Sequence, residues 1–216
     1  MSNQKIDGYT AVNDNIRQVK TLDVGQGSAR GVLPSTLASQ SAVGAAFGSF
    51  TTAKSVLNLA DVVALPANYL SVGKRLKVVV SGALSNIVTT PGTVSFQIMM
   101  GSVIAWTSGA IQMNATAHTL LPFKLEVDLR CDSIGATTTA KLLGVGWLSG
   151  IQFTLTAGQV DGVNSSTGLI VPSTAPAVGT GFDSTAAQNL DFYTAFSISN
   201  AGNVVQIYDY VVQELA

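Results

Sequence analysis

Phe123-Lys124-Leu125-Glu126-Val127-Asp128-Leu129-Arg130-Cys131 decides the fold class, because every odd position is apolar and every even one is charged. An extended strand sends successive side chains to opposite faces, so this period of two predicts a strand with one face buried and the other wet. Upstream, Val94, Phe96, Ile98 and Met100 repeat the alternation. Gly101-Ser102 then offers a two-residue turn of the Gly-first kind into Val103-Ile104-Ala105-Trp106, which predicts a hairpin.

Downstream, Leu190, Phe192, Thr194, Phe196 and Ile198 alternate again, and Asn200-Ala201-Gly202-Asn203 turns the chain into Val204 to Val212. That last run is apolar at nearly every position, so it is either central in a sandwich or covered by a neighbouring subunit. Further strands are expected over 50–57, 75–83, 139–147, 151–156 and 168–171, with a single helical turn within 61–70, limited by Pro66. Loops over 158–167 and 173–185 are rich in Gly, Ser, Thr and Pro. Many short strands with no convincing helix and no internal repeat predict an all-β chain, an antiparallel β-sandwich of jelly-roll type.

Composition narrows the role. The 216 residues suffice for one two-layer core. Charged residues make up 11% of the chain, against roughly 25% in an ordinary soluble domain. With a net charge of -1 the surface carries no strong field, so neither nucleic acid nor an anionic membrane is the expected partner. Hydrophobic residues reach 47% without helical periodicity, which points to apolar surface covered by other subunits. No apolar run approaches the length of a membrane span. Met1 to Asn15 lacks the basic start and apolar centre of a secretory signal, so the expected site of synthesis is the cytosol.

Residues 1 to about 45 differ from the rest, with scattered single apolar residues among polar and small ones. They read as an extended arm before a sandwich over 46–216. Val12, Ile16 and Val19 fall at the spacing of one helical face. With Tyr9 and Leu22 they are the candidate partner-contact residues of an arm that orders against its target.

Candidates for chemistry are few. His118 stands in a polar loop just before a strand and reads as a solvated residue. Cys131, the one cysteine, ends the alternating strand on its apolar side and reads as a small core residue. Asp128 with Asp132, and Asp183 with Asp191, are the nearest carboxylate pairs. Glu126 and Asp128 share a wet face with Lys124 and Arg130, however, which reads as a solvated charged row. Gly25 to Gly31 lacks the spacing of a phosphate loop. Lys74, Arg75 and Lys77 form a basic cluster without interleaved aromatics and read as a charged sheet edge. No catalytic residue, metal site or cofactor is assigned.

Two stretches carry a family resemblance. Leu121 to Thr137, followed by Ala140 to Gly146, resembles a strand pair of tailed-bacteriophage virion proteins, in which an alternating strand ends in a polar turn before a Gly-interrupted strand. Phe182 to Phe192, then Ser197 to Asn203 and a last strand closing on Glu214-Leu215, resembles the C-terminal end of the same proteins. The resemblance spans roughly residues 90 to 216. It implies a jelly-roll domain, commonly a homotrimer, in capsid decoration (cement) proteins, head fibres or tail proteins. The expected function is therefore a non-enzymatic decoration protein on the outer capsid surface of a virion, with the major capsid protein and its own copies as partners. The alternative is a tail, baseplate or head-fibre module that recognises a host receptor or glycan.

Overall fold

The computed structural model describes residues 35–87, 89–153, 168–174 and 178–215, together with the backbone of four short strands before them. Those four are β1 (Lys5–Ile6) paired with β2 (Tyr9–Thr10), and β3 (Thr21–Asp23) paired with β4 (Arg30–Val32), both antiparallel. The chain divides into two compact units, Met1–Pro34 with Ala216, and Ser35–Leu215.

The second unit opens with β5 (Ser35–Ser39), β6 (Ala46–Gly48), β7 (Lys54–Ser55) and β8 (Val63–Leu65). The long strands follow: β9 (Arg75–Asn86), β10 (Thr93–Met100), β11 (Val103–Thr107), β12 (Ile111–Gln112), β13 (His118–Ser133) and β14 (Lys141–Ser149). β15 (Leu169–Val171), β16 (Gln188–Phe196) and β17 (Val204–Leu215) complete it. One sheet runs β15-β14-β13-β9-β17-β5, with β6 also on β17. The other runs β11-β10-β16-β7, with β12 on β10 and β8 on β16. All pairings are antiparallel, and the first long strand pairs with the last (β9 with β17) as the second pairs with the next to last (β10 with β16). That nesting closes the roll, so the expected antiparallel β-sandwich is the fold.

The alternating strands build the core as their periods dictate. Phe123, Leu125, Val127, Leu129 and Cys131 of β13 are all buried and face Val94, Phe96, Ile98 and Met100 of β10 and Leu190, Phe192 and Phe196 of β16. Phe96 stacks on Phe123 at 5.3 Å between ring centroids and on Phe192 at 5.8 Å, tying the two sheets through one ring. Gly101 has φ of +60°, which the first position of the β10–β11 hairpin turn requires.

β17 explains its own unusual sequence. It lies between β9 and β5, hence inside the sheet. A register shift between Ile207 and Asp209 leaves Tyr208 as an extra residue. The buried set therefore switches from Val205 and Ile207 to Tyr210 and Val212, which makes both parities apolar. Gly82 stands opposite the bulge, where a side chain would overlap the Gln206 carbonyl oxygen.

Several expectations need correction. The sandwich begins at Ser35 rather than near residue 46, because Ser35–Ser39 pairs with Val211 to Glu214 of β17. The helical turn is a 3₁₀ turn at Leu59–Asp61, and Val63–Leu65 beyond it pairs with β16. Asp61 is buried and accepts hydrogen bonds from Ser41 and Asn58, which fixes that turn. Arg75 and Lys77 open β9, a strand flanked on both sides, and Lys74 immediately precedes it, so they do not guard a sheet edge. Ile198 falls beyond the end of β16 and is half-buried. Residues 158–167 lie outside the described residues, as does the second half, 154–156, of the strand expected over 151–156, whose first half is a turn ending in an isolated bridge at Phe153.

Candidate functional site

The outer face of the seven-stranded sheet carries a row of charged side chains and, beside it, several exposed apolar ones. Along β13 the even positions Lys124, Glu126, Asp128 and Arg130 point away from the core. Lys77 of β9 sits opposite Asp128 in register and reaches diagonally to Glu126, Nζ to Oε2 at 2.7 Å. Lys124 holds the other oxygen at 2.6 Å. These two ammonium groups, Lys124 first, keep the Glu126 carboxyl below the ordinary glutamate range, and Glu126 in turn raises Lys77. Arg130 pairs with Asp132 at 3.1 Å. The charged row is thus largely paired within itself.

Beside it lies a stripe that sequence reasoning missed. In β14 the residues Leu142, Gly144, Gly146 and Leu148 face the core, which turns Val145 and Trp147 outward at 38% and 45% exposure. Trp147 stands between Glu126 of β13 and Ile170 of β15 in the register, and Ile170 is 56% exposed. The Nε1–Cε2–Cζ2 edge of the Trp147 indole occupies the space where a Cβ on residue 168 would stand. Gly168, at φ of +116°, is what admits it. The available signal was the pair of glycines at 144 and 146. They mark the inward parity because each leaves room for Trp106 of the opposite sheet.

The residues singled out for chemistry are dispersed. His118 is the first residue of β13, opposite Asn86, and is half-buried. Cys131 is buried, donates to the Ser133 carbonyl, and has its thiol pushed up by burial and by Asp132. Asp132 is held by Arg130, Asp183 accepts from Thr185, and Asp191 accepts from Ser55. Burial raises the Asp191 carboxyl, whereas hydrogen bonds from Thr185 lower that of Asp183. Lys74 lies over the Tyr69 ring at 3.7 Å and pairs with Glu214 at 3.3 Å, so with Lys77 on Glu126 two members of the basic cluster are in local pairs. Among the described residues no group of three or more His, Cys, Asp or Glu side chains is placed to hold a metal ion.

Of the arm residues, Tyr9 falls in β2 and Leu22 in β3. Val12, Ile16 and Val19, with the helical face they would form, lie outside the described residues, as do residues 25–29 of the glycine-rich stretch.

No protein-family model matches this chain, and no curated protein or solved structure matches it.

Proposed function

We propose that the chain is a non-enzymatic structural protein of a tailed-bacteriophage virion. In this reading it is a capsid decoration protein that binds the shell as a homotrimer and engages the major capsid protein through its N-terminal arm. The observation that carries the reading is the division of the chain into a sandwich over Ser35–Leu215 and a separate stretch, Met1–Pro34. A self-contained core with a sizeable appended segment suits a protein that folds first and then attaches to a preformed surface. The low charge supports it as well, since small polar residues cost less to desolvate against a neighbour than charged ones do. The resemblance of residues 90 to 216 to virion proteins adds the setting.

Removing residues 1–34 tests the reading. The truncated protein keeps the circular dichroism and oligomeric mass of the full chain and no longer co-sediments with purified capsid shells, whereas the full chain does. Failure of the full chain to bind shells contradicts the decoration role, and undiminished binding by the truncated chain removes the arm from it.

A further inference from the structure

We draw no further inference here: the strongest candidate, the exposed stripe of Trp147, Val145 and Ile170 on the outer face of the seven-stranded sheet, is an apolar surface patch, and nothing in the structure shows what covers it.

Discussion

The indole of Trp106, in the six-stranded sheet, fills the space above Gly144 of the seven-stranded sheet, where any Cβ would overlap its Cδ1 atom. The same ring lies 3.0 Å from where a Cβ on Gly146 would stand. Gly144→Ala therefore forces the ring or the strand to move and costs about 1–3 kcal/mol as overpacking. Urea unfolding measures it; a midpoint unchanged from wild type shows that the sheets do not meet here as described. The paired variant Gly144→Ala/Trp106→Leu loses less than the sum of the two single losses.

The flank between the two sheets is closed by backbone. Gly179 N–H donates to the Leu142 carbonyl of β14 at 2.8 Å and Thr180 N–H to the Ile104 carbonyl of β11 at 3.2 Å, so one segment stitches both sheets. A side chain at Gly179 would overlap the Ala105 carbonyl group. Gly179→Ala is expected to cost about 1–3 kcal/mol or more and to raise amide exchange at Thr180. Exchange that stays as slow as in wild type contradicts the stitch.

Asn203 organises one end of the sandwich. Fully buried, it accepts from the Ile87 N–H at 3.1 Å and donates to the carbonyls of Pro91 and Ile198 at 3.1 and 3.2 Å. Asn203→Ala strands the buried Pro91 carbonyl and two part-buried backbone groups, the Ile87 N–H and the Ile198 carbonyl, and destabilises by about 1–3 kcal/mol. Thermal unfolding followed by circular dichroism reads the effect, and a loss within error of zero would mean that water replaces the side chain.

These sites show what a sequence can and cannot display. The alternation from Phe123 to Cys131 states its own buried face, and Gly101-Ser102 and Asn200 to Asn203 announce their turns locally. The bulge at Tyr208 hides the parity of β17, because its cause is a pairing with Gly82, a residue far away in sequence. Trp147 reads as a core aromatic until Gly144 and Gly146 are known to face Trp106 across the sheets. The Lys77–Glu126 pair is equally invisible, since it depends on the β9–β13 register. Ser35–Ser39 looks like arm because its small polar residues sit on an outer strand whose pairing with β17 is made by backbone.

Glu126 makes stability depend on pH in a definite direction. Lys124 and Lys77 hold its folded carboxyl below the ordinary value of 4.5, so its contribution is complete above that value and lost as pH falls through the folded range. The pair is about a third exposed, which limits the contribution to about 1 kcal/mol or less. Glu126→Gln should lower the urea midpoint at pH 7, with the gap to wild type closing below pH 4.5. A gap that stays constant down to pH 3 would assign the loss to something other than charge.

The most direct test of the proposed decoration role is the copy number of this protein in purified virions, read by quantitative gel electrophoresis against the major capsid protein. A decoration protein is present in a stoichiometric ratio to the shell subunits. A handful of copies per particle, or none, contradicts the account.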